Sequence, residues 1–215
     1  GLLVGVDGRP QRGFSIRRFP TPWTLIFEVF GLNRIWPGNA VNRRYRYLDR
    51  NYGGPGPVEQ PAGAFLAVRR DVWTSTAGFD EDFWPAWFED VDFLKRANDL
   101  GFRAAFCPEV RAEHRGGHSV NKLPETSRKR NWYSNLLRYA TKHYREIPYR
   151  AVCGAVALAS LPRMVAGMIA ERSVGPFASY GAVFRLATRR AFARTGTWEA
   201  RRAGAKDHQR GRGIE

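Results

Sequence analysis

The first 57 residues hold one continuous apolar segment, Trp23 to Leu32, set among turn signals at Asp7-Gly8, Pro20-Thr21-Pro22, Pro37-Gly38 and Gly53-Gly54-Pro55-Gly56. A short helix between long loops is the expectation. Gly63-Ala64-Phe65-Leu66-Ala67-Val68 then forms a compact apolar run closed by Arg69-Arg70, with the length of a buried strand. A helical turn, Asp71 to Thr76, follows, and Gly78-Phe79-Asp80-Glu81 breaks the chain before an aromatic and acidic cluster, Phe83 to Asp92. Val91, Leu94, Ala97 and Leu100 recur every three residues and Gly101 supplies a stop, so the pattern predicts a helix over 89–100 with Asp90 at its start. Two alternating runs come next, Phe102/Ala104/Phe106 and Val110/Ala112/His114, separated by Pro108; His114 falls at a strand end before Gly116-Gly117.

Beyond Ser127 the period is helical again. Basic and aromatic residues interleave to Tyr149, and an apolar stretch, Ala151 to Ala170, continues from there. Twenty residues suffice to cross a bilayer, but Pro162 and Arg163 interrupt the middle, which favours a helix lying on a membrane over one spanning it. Residues 201–215 are basic and Gly-rich, a composition that predicts disorder. The chain opens at Gly1 on an apolar run without an initiator Met and reads as cut from something longer.

Charge sharpens this division. The formal net charge is +15, yet residues 1–125 carry 17 basic and 15 acidic side chains, a net +2, whereas residues 126–215 carry 18 and 5, a net +13. A cationic tail can meet nucleic acid, an anionic membrane or phosphorylated substrates. Its continuation into an apolar segment and the lack of a reading module argue against nucleic acid. Cys107 and Cys153 sit in apolar surroundings without metal-ligand spacing, and are expected to be buried thiols in a reducing compartment.

Few residues offer chemistry. Asp90 at a helix N-terminus is stabilised as an anion by the helix dipole, and Phe83, Trp84, Trp87 and Phe88 offer faces on which a sugar can stack. Glu89, Asp90 and Asp92 fit equally well the acidic first turn of an ordinary helix. Asp90-Val91-Asp92 has the form of a metal-binding Asp-x-Asp pair, but two residues on a helix turn through about 200°, so the carboxylates diverge. His114 is a metal-ligand candidate by its position at a strand end, His118 a weaker one. Gly63-Ala64 serves either close packing or close approach of a substrate; Arg128-Lys129-Arg130 is either a diphosphate clamp or a solvated face.

Taken in order, Asp7-Gly8, Arg18-Phe19-Pro20, Gly63 to Arg70, Gly78-Phe79-Asp80-Glu81, Phe88 to Asp92, Gly101-Phe102-Arg103, Pro108-Glu109 and His114 to Ser119 resemble the C-terminal half of the family 2 glycosyltransferases, especially their bacterial rhamnosyltransferase-like branch. The resemblance covers roughly residues 1–145. It implies an α/β chain: the C-terminal part of a GT-A (Rossmann-like) domain over 1–125, followed by a helical, basic, membrane-associated segment over 126–200. It implies an inverting transfer from a nucleotide-sugar donor to a glycan or polyprenyl-linked acceptor, at the inner, cytoplasmic face of the membrane. Asp90 would be the general base and Glu89 would help hold the acceptor. Gly63 and Ala64 would line the pocket with Trp87 beside it. His114 would complete a divalent-metal site for Mg or Mn, and the segment His118 to Arg130 would close over the donor diphosphate. The remaining metal ligands, in the family's Asp-x-Asp pair, belong to an N-terminal half that this sequence does not include, so transfer by these residues alone is not expected. A non-catalytic membrane scaffold with a glycosyltransferase-like body is the alternative.

Overall fold

A computed structural model describes residues 1–117 and 120–193 of the chain. Strands are short and come in three pairs. β1 (Leu2–Val4) runs parallel to β6 (Arg111–Glu113), with Leu3 opposite Ala112. β2 (Ile16–Arg17) is antiparallel to β4 (Gln60–Pro61), and β3 (Gly56–Val58) is antiparallel to β5 (Ala104–Phe106). Leu2, Ile16, Tyr52, Val58 and Phe106 close a small core over these pairs. The architecture is thus mixed α/β, with helices dominant.

The helices of the first hundred residues have local causes. α1 (Pro22–Phe30) starts where the Thr21 hydroxyl accepts from the Thr24 N–H at 3.2 Å, with Pro22 in the first turn, and stops at Gly31, whose φ of +73° only glycine adopts cheaply. α2 (Leu32–Ile35) is a single turn. α3 (Ala40–Tyr45) is capped by Asn39, which accepts from Asn42 N–H at 2.8 Å. α4 spans Arg70–Thr76, where a helical turn is expected, and α5 Glu89–Asp99, where the three-residue apolar period places it.

Three long helices complete the chain: α6 (Glu125–His143), α7 (Glu146–Glu171) and α8 (Gly175–Phe192). Their buried faces share one core with Leu25 and Val29 of α1, Phe83 of the 3-10 turn Glu81–Phe83, and Val91 of α5. Arg163 ties α7 to α1 by donating to the Val29 carbonyl, one of the groups a helix leaves unpaired at its C-terminus. The charge that interrupts the apolar stretch is therefore used inside the protein.

Deepest in this assembly is Asp92, which has no solvent exposure. It accepts from Arg96 Nε at 2.8 Å on its own helix, and from Lys142 Nζ and His143 Nε2, each at 2.8 Å, on α6. Burial raises its pKa, but His143, Lys142 and Arg96 together outweigh that and hold the carboxyl well below the usual carboxylate range. Burial in turn lowers the pKa of His143, and a neutral imidazole still donates its Nε2–H to Asp92.

Three expectations fail, each for a local reason. Gly63 to Val68 is not a buried strand: Gly63–Phe65 is an exposed 3-10 turn, because the β2–β4 ladder ends at Pro61 and the Gly63 N–H goes to a side chain instead of a neighbouring strand. Cys107 is exposed, since Phe106 takes the inward position and alternation turns the next residue out; Cys153 is buried. The helix expected over 127–149 breaks at Tyr144, which is extended. Pro148 would clash with the Tyr144 carbonyl in a continuous helix, whereas a restart at Glu146 puts it in a first turn that needs no N–H. Residues 201–215 lie outside the described residues.

Asp92→Asn should lower unfolding stability in urea by about 3–5 kcal/mol, the cost of breaking a buried ion pair. In the unsubstituted protein the Asp92 contribution is complete above an unfolded pKa of about 3.9 and drains as pH falls below it; His143, buried neutral, adds a loss that starts near 6.5. Melting temperatures between pH 7 and 3 should show the steeper acid loss, and Asp92→Asn should flatten its lower part.

Candidate functional site

The residues before α5 bring Asp90 to the surface in a fixed pose. Trp87 and Phe88 both have left-handed backbone, φ +73° and +71°, so the chain enters the helix through two strained residues. What holds them is α6. Asn135, buried 52 positions further on, donates to the Phe83 carbonyl at 2.6 Å and the Ala86 carbonyl at 2.8 Å. Lys142 pairs with Asp80 and Arg138 with Asp82, each at 2.8 Å, and Phe88 packs against Trp132 and Tyr139. Although burial opposes it, Lys142 keeps the Asp80 carboxyl below its ordinary pKa.

On the other side Asp90 meets the turn after β4. Its Oδ2 accepts from the Gly63 N–H at 2.9 Å and lies 3.4 Å from Gln60 Nε2; its Oδ1 accepts from the Val91 N–H at 2.8 Å. A Cβ on Gly63 would stand 2.8 Å from Asp90 Cβ, so glycine is required by close approach. Gln60 Oε1 and Glu89 Oε2 are buried without a hydrogen-bond donor among the described residues. Burial, reinforced by the charge of Asp90, pushes the Glu89 carboxyl up to about 6. The corner therefore offers a half-buried carboxylate, a second carboxyl that titrates near neutrality, and acceptor oxygens suited to hydroxyl groups.

The two acids of Asp90-Val91-Asp92 do diverge: Asp90 faces β4 and Asp92 the α6 cations. Of the four aromatics expected to stack on sugar, Phe83 is fully buried and Phe88 lies against the core, since both are needed to seat the loop. Trp84, 80% exposed, and the half-exposed Trp87 remain available. Ala64 is exposed in the turn beside Gly63. Arg128, Lys129 and Arg130 are on α6, not on a loop. Lys129 pairs with Glu125 and lies near Glu171, Arg128 donates to Asn121, and Arg130 is exposed. His118 lies outside the described residues.

His114 stands at the end of β6, where its N–H donates to the Val4 carbonyl, and its ring stacks on Phe14 with centroids 4.9 Å apart. Gln11 grips it twice: Nε2 donates to the His114 carbonyl at 2.8 Å, which turns Oε1 toward Nδ1 at 3.0 Å. With Gln11 Oε1 as the acceptor, Nδ1 is the donor, an arrangement compatible with ligation through Nε2. Among the described residues no group of three His, Cys, Asp or Glu side chains could hold an ion, so these residues fit one ligand of a metal site and not a whole site. Sequence reasoning missed Asn135 and Gln11, which lie 52 and 103 positions from what they hold and carry no local signal.

Over 112 residues the chain is 29% identical to the N-acetylglucosaminyl-diphospho-decaprenol L-rhamnosyltransferase of Mycobacterium tuberculosis, in both strain CDC 1551 / Oshkosh and strain ATCC 25618 / H37Rv. The match takes in 52% of this chain and 36% of each relative, so the chain spans about a third of the length of the curated relatives it matches. No family model matches, and no solved structure does. The relationship is distant and glycosyltransferase-like, that of a transferase at the coarse level.

Gly63→Ala should destabilise the protein by about 1–3 kcal/mol, an overpacking cost, because the new methyl meets the Asp90 backbone-proximal carbon and not a flexible tip. Ala64→Ser, on the exposed side of the same turn, should leave the urea midpoint within error.

Proposed function

We propose that the chain forms the acceptor side of an inverting, family 2-type glycosyltransferase of GT-A fold, in which Asp90 takes the proton from an acceptor hydroxyl. The observation that carries this reading is the pose of Asp90: half-buried, at a helix N-terminus, held by the Gly63 N–H beside two buried oxygens that have no donor among the described residues. A carboxylate so placed is ready to accept a proton at the moment a sugar hydroxyl attacks the anomeric carbon. Exposed Trp84 and half-exposed Trp87 offer faces to a pyranose, and Glu89 and Gln60 lie just behind Asp90 with buried oxygens. The mycobacterial relatives are rhamnosyltransferases named for an N-acetylglucosaminyl-diphospho-decaprenol, which supports rhamnose as the sugar and a diphospho-polyprenol as the acceptor; a nucleotide-sugar donor and a place in cell-envelope polysaccharide synthesis follow from the family resemblance. A divalent metal, Mg or Mn, would neutralise the departing diphosphate, with His114 Nε2 as the ligand this chain contributes. Among the described residues no donor side and no further metal ligands are identified, so the reading is confined to the acceptor side.

Glu89 favours a second assignment within the same chemistry, because a carboxyl near 6 is better matched to proton transfer at neutral pH than an ordinary one. In the full-length protein Asp90→Asn should lower kcat by about 10²–10⁴, the usual worth of a general base. Glu89→Gln should cost less and remove an acid limb near pH 6 from the kcat profile. If instead Glu89→Gln abolishes transfer and Asp90→Asn retains it, the roles are exchanged; loss in neither leaves the scaffold reading. His114→Ala should raise the metal concentration needed for half-maximal activity.

Peripheral attachment to the inner membrane face is proposed from α7. Leu158, Leu161, Val165 and Ile169 share one exposed helical face, while the opposite face of its first half is core. Its length and hydropathy would also allow a span, but Arg163 is engaged with α1. Leu161→Ser with Val165→Ser should cut co-sedimentation with anionic vesicles severalfold, and carbonate extraction should release the unsubstituted protein, which a spanning helix would resist.

A further inference from the structure

Away from Asp90, α3 and the segment after it frame a cleft of about 510 Å³ whose walls include Arg18, Arg43, Arg44, Tyr47, Asp49 and Arg50. Four guanidinium groups and one carboxylate give these walls a formal charge of +3. Arg43 is occupied by Asp49, at 2.7 Å through Nη2. Arg18 shares Glu59 at 2.8 Å, yet its Nε is buried without an acceptor among the described residues. Arg50 gives one nitrogen to the Pro57 carbonyl at 2.9 Å, and Arg44 is exposed and pairs with no carboxylate among the described residues.

Tyr47 organises the group. The Arg18 and Arg50 guanidinium carbons lie 4.8 and 5.8 Å from its ring centroid, so one aromatic ring steadies two cations that would otherwise repel. Its backbone is left-handed, φ +50°, a strain of the kind that gathers at ligand clamps. Planar guanidinium forks match phosphate oxygens two at a time, and several forks around an open cleft suit an extended polyanion better than a single carboxylate.

We infer that this cleft is a diphosphate-binding site. It is linked to the candidate catalytic corner through adjacent residues: Glu59 holds Arg18, and Gln60 touches Asp90. The choice of diphosphate over other anions rests on the transferase reading, in which donor and prenyl-linked acceptor each carry one; capture of the anion does not.

The test is calorimetric titration of the protein with inorganic pyrophosphate at low ionic strength. Saturable binding is expected, weakened about tenfold or more by Arg44→Gln and by Arg50→Gln, the loss of one charge-assisted bond each. Arg185→Gln with Arg189→Gln, on α8, should leave it unchanged. No saturable binding, or equal weakening by the α8 pair, overturns the site as general charge attraction. Farnesyl diphosphate and uridine diphosphate then serve as competitors. Displacement by the first supports the acceptor as source, by the second the donor, and by neither overturns a substrate role. Full-length protein that binds pyrophosphate but transfers no sugar would sink the transferase reading alone; unchanged KM values for both substrates in Arg44→Gln would sink this inference alone.

Discussion

Asp92 is an anion without water, and the protein is arranged around satisfying it. Arg96 answers from the same helix, but Lys142 and His143 come from α6, so the anion can be buried only if α6 lies along α5. The effective penalty for burying an unpaired ion is several kcal/mol, larger than most single packing terms. Once α6 is there, Asn135 and Arg138, together with Lys142 again, reach back along the same edge to the segment before α5 that leads into Asp90. The packed core of α1, α6, α7 and α8 then stands behind the site.

Much of this was readable from residue order, and the failures are instructive. The α5 period, its glycine stop and the position of Asp90 follow from rules that act within a few residues, and the structure keeps them. The divergence of Asp90 and Asp92 follows from helix geometry in the same way. What residue order hides is competition for a backbone donor. Gly63 to Val68 has strand composition, yet the Gly63 N–H is claimed by a carboxylate 27 positions away, and no local pattern reports such a claim. Pro148 was legible in principle, since its ring dictates where the helix must restart. Asn135 and Gln11 were not, because polar residues in a helix or loop look alike until their partners are placed.

The cationic tail also changes meaning in three dimensions. A net +13 after residue 125 suggests a surface waiting for an anion. Several of those charges are internal ties instead: Lys129 to Glu125, Arg138 to Asp82, Lys142 to Asp80 and Asp92, Arg163 to the α1 carbonyl. Net charge per segment is a sound guide to long-range attraction. It overstates the free charge wherever the acidic partners sit in the other segment. Conversely, the near-neutral first part holds an unbalanced cationic group of its own, around Tyr47.

The loop from Phe83 to Phe88 divides its side chains between two duties. Phe83 and Phe88 seat it, while Trp84 and Trp87 project outward and bear no packing load comparable to theirs. Selection therefore meets two kinds of position one or two residues apart. A change at an inward residue threatens the fold and the pose of Asp90 together; a change at exposed Trp84 spares both. If the loop serves the acceptor side of a transferase, as proposed, drift in taste for acceptors would proceed at such outward positions while the carboxylate kept its pose, the condition under which one scaffold diversifies into many specificities.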